Sequence, residues 1–348
     1  MGIPNVLPVP ERLANNNAPI ITRTAADLIR LATEHPPEPI IANLLYCDDV
    51  LLLHGREESF KSAFTVQMAE TIAAGHKFLG FWEVPRPRTV GVIETEMHET
   101  QLGVRLGKMF GNGNPPDRLS FLADESLRPW RRADMDGKFS IIERWVEDEG
   151  IEVLMIDTAN DFFRGNDDAS VERTAGKFFD SLRNLDVKAR MVVRHDRKLR
   201  SDELPGTNPN ERIRGSGEWK EDPECILSVQ RADGRTHEVA FEVGKLRYAD
   251  KPEPFSLWFD SRLFRLTPLP PLISILGQGQ KTRQQVLEDM KSRFGLEQRK
   301  ADELLTKARG EVCVRQGQQG HNRTYELIWE GCREQGWFKF VPPEWHEG

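Results

Sequence analysis

The chain has 348 residues, 38% of them hydrophobic and 30% charged, with a formal net charge of −7. That length accommodates one large domain with an appendage, or two domains, and the composition is that of a globular protein. No apolar run reads as a membrane helix, the start MGIPNVLPVPERL lacks the blocks of a signal peptide, and an acidic chain does not coat nucleic acid with its whole surface, although a local basic groove remains compatible.

Residues 1–24 are rich in Pro and Asn and read as a flexible lead-in. Thr24 offers an N-cap to a short helix through Thr33, which His35-Pro-Pro-Glu-Pro breaks. An apolar run, Ile40–Leu45, precedes a strand at Val50–Leu53 and a helix over 62–74 that Gly75 ends. Strands at Thr89–Ile93, Leu119–Leu122, Ile151–Ile156 and Ala189–Val193 then alternate with helices at Glu99–Phe110, Phe139–Glu149 and Ser170–Leu185. Cys225–Val229, Val239–Val243 and the pair Phe255–Phe259 with Leu263–Leu266 read as closing strands. This alternation predicts an α/β fold with a mostly parallel twisted sheet, spanning residues 25–267 and binding its ligand at the carboxyl ends of the strands. The four cysteines, Cys47, Cys225, Cys313 and Cys332, are scattered without a C-x-x-C pair and read as reduced thiols of a cytoplasmic protein.

The stretch Leu51–Ser62, LLLHGREESFKS, stands between the first main strand and its helix. It fits the phosphate-binding pattern G-x-x-x-x-G-K-[ST], except that Phe60 replaces the second glycine. In such a loop Gly55, Glu58, Ser59, Phe60, Lys61, Ser62 and Ala63 would cradle phosphates, with Lys61 as the cation and Ser62 as the magnesium-side hydroxyl. The alternative is an ordinary strand–helix turn carrying Lys-Ser by chance. Phe60 is awkward only where its position needs a positive φ or its side chain would strike the ligand.

Three strand ends add chemistry to the loop. Asp157 closes an apolar strand, where a magnesium-side acid belongs. Glu96 ends the strand after the loop helix and suits a general base that orients water; Glu94, two residues earlier on the same strand face, is its rival. His195 ends a later strand and could sense a γ-phosphate, or be a partly exposed histidine with no such role.

Together Gly55–Ser62, Glu94-Thr95-Glu96, Ile156-Asp157-Thr158, Arg194–Lys198, Arg214–Gly217 and Lys245-Leu246-Arg247 resemble the RecA-like ATPase core of RepA and DnaB type hexameric helicases. The resemblance is strongest to the RepA-like ATPases of phages, plasmids and other mobile elements. It implies ATP and Mg2+ as ligands, with Lys61 and Ser62 holding phosphate and magnesium, Asp157 supporting the magnesium shell and Glu96 activating water. His195 and Lys198 match the family's His-x-x-Lys positions, although Arg194 stands where the family often has a first histidine. Lys245 and Arg247 match a Lys-x-Arg pair that reaches a neighbouring subunit's site, which implies a homo-oligomer, a hexamer in these helicases. Arg197, Lys198, Arg200 and Arg214 belong to the loop region that would face single-stranded DNA in the central channel, by phosphate contact because Arg197–Ile213 lacks an aromatic residue.

Residues 268–280, opening with Pro-Leu-Pro-Pro, read as a linker to a separate domain over 281–330, followed by a tail over 331–348. Helices at Thr282–Phe294 and Leu296–Ala308, then Val312–Val314, a turn at Gly317–Gly320 and Thr324–Ile328, resemble a winged helix-turn-helix. Arg299, Lys300, Lys307 and Arg323 are its candidate duplex contacts; the same fold also serves as a protein-docking domain. The expected function is therefore an ATP-hydrolysing DNA motor without a membrane partner, a ring-forming replicative helicase or translocase. The alternatives are an ATP-controlled DNA-binding initiator and a filament-forming repair ATPase.

Overall fold

The computed structural model describes residues 22–111, 113–123, 125–130, 133–163, 169–196, 209–213, 217–231, 237–252, 255–269, 271–276, 279–294, 296–310, 314–319 and 322–328. They fall into two units, one ending at Glu38 and one beginning at Pro39. The first carries helix α1 (Ala25–Glu34). Its amino end is a capping box, in which the Asp27 N–H donates to the Thr24 hydroxyl and the Thr24 N–H donates to the Asp27 carboxylate.

The second unit opens with a small antiparallel pair, β1 (Pro39–Ile41) and β2 (Leu45–Tyr46). Its main body is β3 (Val50–Gly55), α2 (Lys61–Ala74), β4 (Val90–Glu94), α3 (Glu99–Phe110), β5 (Leu119–Ala123), α4 (Met135–Glu149), β6 (Val153–Asp157), α5 (Ala169–Arg183), β7 (Ala189–His195), the short α6 (Glu218–Glu221), β8 (Cys225–Arg231), β9 (Glu238–Lys245), β10 (Phe255–Asp260) and β11 (Arg265–Leu269). These strands form one mixed sheet in the order β11-β10-β9-β8-β3-β7-β6-β4-β5. From β8 to β5 every pairing is parallel; β9, β10 and β11 extend the sheet antiparallel.

Strands β3, β4 and β6 are buried along their whole length, which explains their unbroken apolar runs. Alternate residues feed opposite faces. Leu51, Leu53, Met155 and Met191 pack with Phe64, Met68 and Ile72 of α2. Leu52, Leu154 and Ile156 pack with Ile142 of α4 and Phe178 and Leu182 of α5. The loop helix α2 is buried along nearly all its length, so its amino end is held rigidly at the carboxyl edge of the sheet. No helix among the described residues is long and apolar enough to cross a membrane.

After β11 come α7 (Pro271–Leu276), β12 (Lys281–Thr282), α8 (Arg283–Phe294), α9 (Gln298–Gly310), β13 (Val314–Gln319) and β14 (Asn322–Leu327), with a small antiparallel sheet ordered β12-β14-β13. Here the structure corrects the sequence reading. The expected linker over 268–280 holds Pro268 paired opposite Leu257 in β11, and then α7, whose Leu272, Ile273, Ile275 and Leu276 are buried. They share one core with Trp258 and Leu269 of the main sheet and with Val286, Met290 and Leu305 of α8 and α9. The expected turn at Gly317–Gly320 is also displaced, since Gly317 lies within β13, opposite Thr324. The tail over 331–348 lies outside the described residues.

Candidate active site

Strand β3 brings the chain to the carboxyl edge of the sheet at Gly55. A Cβ there would lie 2.1 Å from the Val229 carbonyl oxygen of β8, so the neighbouring strand demands the glycine. The loop then passes through two left-handed residues, Glu58 and Phe60, each with a φ of 61°. The position where the phosphate-loop pattern has its second glycine thus does need a positive φ, a conformation that costs a residue with a side chain about 1–2 kcal/mol. The Phe60 ring stacks on Phe259 of β10, with centroids 4.1 Å apart and planes 19° apart. Such a pair contributes about 0.5–1.5 kcal/mol, the same order as the backbone cost. Ser59 Oγ donates to the Arg56 carbonyl at 2.7 Å, and Arg231 pairs with Glu58 at 2.9 Å.

Lys61 opens α2, where no side chain caps the helix. The first-turn N–H groups lack intrahelical partners, so this end suits an anion. Lys61 is 5% exposed, and its ammonium donates to the Gly55 and Arg56 carbonyls at 3.0 and 2.6 Å. Burial lowers its pKa, against the pull of Asp157 and Asp196. Ser62 hydrogen-bonds to Asp157 at the end of β6. Asp157 is buried, its Oδ2 has no hydrogen-bond partner, and burial pushes its pKa up to about 6.

The two glutamates separate clearly. The sequence places them on one strand face, but β4 ends at Glu94 and Glu96 lies in the bend beyond it. Glu94 is buried as the register partner of Asp157, and its Oε1 accepts the N–H groups of Glu96 and Met97 at 3.0 and 3.1 Å. Burial, then the Asp157 charge, raises its pKa. It anchors the bend that presents Glu96. The Glu96 side chain is half exposed, and its Oε1 accepts from His195 Nε2 at 3.0 Å and Thr158 Oγ1 at 3.2 Å. The His195 hydrogen bond holds the Glu96 carboxyl below its ordinary pKa, outweighing burial.

Lys61, Ser62, Glu96, Asp157 and His195 therefore line one cleft of about 640 Å³. Phe60, Phe259 and Phe264 form an apolar wall of the same cleft. The sequence reading assigned Thr158 no role beyond its place in Ile156-Asp157-Thr158, although a threonine directly after the strand-ending acid was a visible signal. It also missed a buried pair beneath the loop. His54 Nδ1 and Asp196 Oδ1 lie 2.7 Å apart with both side chains fully buried, Gln230 Nε2 donates to Asp196 Oδ2 at 2.6 Å, and the Asp196 N–H donates to the Gly55 carbonyl at 3.0 Å. No local pattern announces that contact.

The remaining candidates lie elsewhere. Lys245 donates to the Lys220 and Glu221 carbonyls at 3.1 and 2.8 Å, and Arg247 lies 3.7 Å from Glu224. Glu224 accepts the Val50 N–H, so both cations sit by the amino end of β3, whereas the phosphate loop leaves its carboxyl end. Arg299, Lys300 and Lys307 are on α9 and Arg323 is on β14, outside the cleft. Arg197, Lys198, Arg200 and Arg214 lie outside the described residues.

A mostly parallel sheet with a Lys-Ser loop at a helix start, and acids at the ends of adjacent strands, defines a P-loop ATPase of the RecA-like type. The sequence matches the AAA domain family (AAA_25) over residues 19–201, just over half of the chain, and the protein belongs to that family. Among solved structures, the chain is similar to a KaiC-like protein from the hyperthermophilic archaeon Pyrococcus horikoshii. The TM-score is 0.49 at 12% identity, covering 66% of this chain and 94% of that one. Comparison with curated proteins found no match.

Proposed function

We propose that the protein is an ATP-driven motor that assembles as a ring and acts on DNA, as a replicative helicase or translocase of the RepA and DnaB kind that its sequence resembles. The convergence of Lys61, Ser62, Asp157 and Glu96 on one cleft carries the hydrolytic part. In this reading Lys61 turns from the loop carbonyls to the β- and γ-phosphates. Ser62 and Asp157 fit a phosphate-bound magnesium ion, since they hydrogen-bond to each other at the loop and Asp157 Oδ2 is buried without a hydrogen-bond partner. When bound, that ion neutralises phosphate charge. Glu96, kept ionised by His195, takes a proton from water. The water oxygen bonds to the γ-phosphorus as the bridging P–O bond breaks, and ADP leaves with the bridging oxygen.

Lys245 and Arg247 support the ring. Placed by the amino end of β3, they do not serve their own cleft; in a ring they would reach a neighbour's γ-phosphate and stabilise the charge developing there. We read β12 to β14 as a winged helix, supported by the α8–α9 pair and the β13–β14 hairpin. Arg299, Lys307 and Arg323 are exposed on it, as duplex contacts require. Arg197, Lys198, Arg200 and Arg214 are proposed as single-strand contacts on sequence grounds.

ATP hydrolysis measured alone and with single-stranded DNA, duplex DNA and RNA tests this reading. Stimulation by single-stranded DNA, ATP-dependent strand separation lost in Lys61→Ala, and poisoning of wild-type activity by Arg247→Ala subunits are expected. A rate indifferent to every nucleic acid refutes the DNA motor. Tight binding to one duplex sequence that survives Lys61→Ala points instead to an ATP-controlled initiator, and filaments in negative stain to a repair ATPase.

A further inference from the structure

We infer that Phe259 is a positioning residue for ATP: by stacking on Phe60 it holds the phosphate loop in the left-handed conformation that a glycine supplies in the consensus pattern. The inference rests on reading the cleft as an ATP site. Phe60 has φ 61° and ψ 25°, and it directly precedes Lys61. Its backbone angle sets the direction of the next peptide, hence of the N–H groups that would meet phosphate. A phenylalanine left to itself leaves this region for negative φ. Here its ring lies on Phe259, 4.1 Å away and 19° from parallel. A change of φ would carry the ring off that platform, so the stack opposes the change.

The platform is fixed independently of the loop. Phe259 pairs with Leu266 in the β10–β11 ladder, and its N–H donates to the His237 carbonyl at 2.8 Å. Phe264 meets its ring edge-on at 5.6 Å and 84°, and the Arg105 guanidinium lies 5.1 Å from the Phe264 ring. Phe259 is only 7% exposed. A buried, ladder-held ring thus meets a residue with a positive φ, on the loop side of its own carbonyl, which accepts the Phe64 N–H at 3.0 Å.

This arrangement acts on affinity rather than chemistry. Loss of the stack lowers the fraction of loops ready to bind, and apparent affinity falls by that fraction while the bound complex is unchanged. Because Phe259 also lines the cleft, it could instead stack on a nucleobase. A base-free phosphate probe distinguishes the two.

The test uses the full chain, with steady-state ATPase kinetics and inhibition by inorganic tripolyphosphate, which has no base. Phe259→Leu should raise the KM for ATP and the Ki for tripolyphosphate about three- to tenfold, the range one aromatic pair supports, with kcat within about twofold. Phe259→Tyr keeps the ring and should restore both constants. In a Phe60→Gly background, where positive φ carries no steric penalty, Phe259→Leu should change neither constant by more than about twofold. Phe60→Leu removes the ring from the loop side and should reproduce the rise, which keeps the inference testable where Phe259→Leu does not fold. Equal effects of Phe259→Leu in both backgrounds, no effect in either, or a raised KM with an unchanged tripolyphosphate Ki would each overturn it. If the wild type does not hydrolyse ATP, or Lys61→Ala is without effect, the reading of the cleft fails instead.

Discussion

Replacing Glu94 by glutamine should stabilise the ligand-free protein at alkaline pH, whereas the same change at Glu96 should leave stability nearly untouched and abolish hydrolysis. Glu94 is buried against Asp157, and its pKa rises from an ordinary 4.5 to about 8. A carboxyl whose folded-state pKa is raised stabilises the fold most below its unfolded value and loses that contribution as pH climbs toward the folded value. At about pH 7.5, a shift of this size, shared with Asp157, corresponds to roughly 2–4 kcal/mol. Glutamine keeps an Oε1 that can accept the Glu96 and Met97 N–H groups, so the bend persists while the charge is gone. For a chain of this length that is a rise in Tm of about 4–8 °C near pH 8, shrinking to almost nothing near pH 4.5. Thermal unfolding of Glu94→Gln, Glu96→Gln and wild type across that range measures it. A Glu94→Gln protein whose Tm follows the wild-type pH slope, or falls below it at pH 8, would refute the reasoning.

Thr158→Val removes a hydroxyl donated to Glu96 and should lower kcat about tenfold with little change in KM, read from steady-state ATPase kinetics. His195→Gln removes the foremost cause of the depressed Glu96 pKa; the acid limb of the pH–rate profile should move to higher pH, because Glu96 then loses its charge sooner as pH falls. Ile273→Ala, at a fully buried site in the core that α7 shares with Trp258, should cost about 2–5 kcal/mol and lower one common melting transition. Separate melting of the carboxyl-terminal module in calorimetry would contradict that shared core.

What the sequence discloses here depends on distance along the chain. Strand ends are legible because an apolar run stopping at a carboxylate is a local pattern; Val153–Asp157 reads that way, and it stands beside β4 and β7 only because the sheet assembles in that order. The Phe60 substitution is visible too, but its partner Phe259 is not, since nothing near either residue encodes their meeting. The same holds for His54 and Asp196, 142 residues apart. Lys138 hides the true start of α4 at Met135: after Asp136 and Gly137 it reads as one more polar residue, yet it is buried, donates to the Asp161 carbonyl and lies 5.5 Å from the Trp130 and Phe162 rings, so the apolar pattern begins only at Phe139. The misread linker follows from what proline means at different places. Pro268 is tolerated in β11 because that strand is the sheet edge, where a missing N–H breaks no ladder. Pro271 opens α7, where the first N–H has no intrahelical partner to lose. Gly317 misleads in the same way: it reads as a turn, but a Cβ there would lie 2.9 Å from Thr324 Oγ1, so the glycine serves close approach of two strands. A residue type that usually signals a break is thus kept by packing, and only the partner strand reveals it.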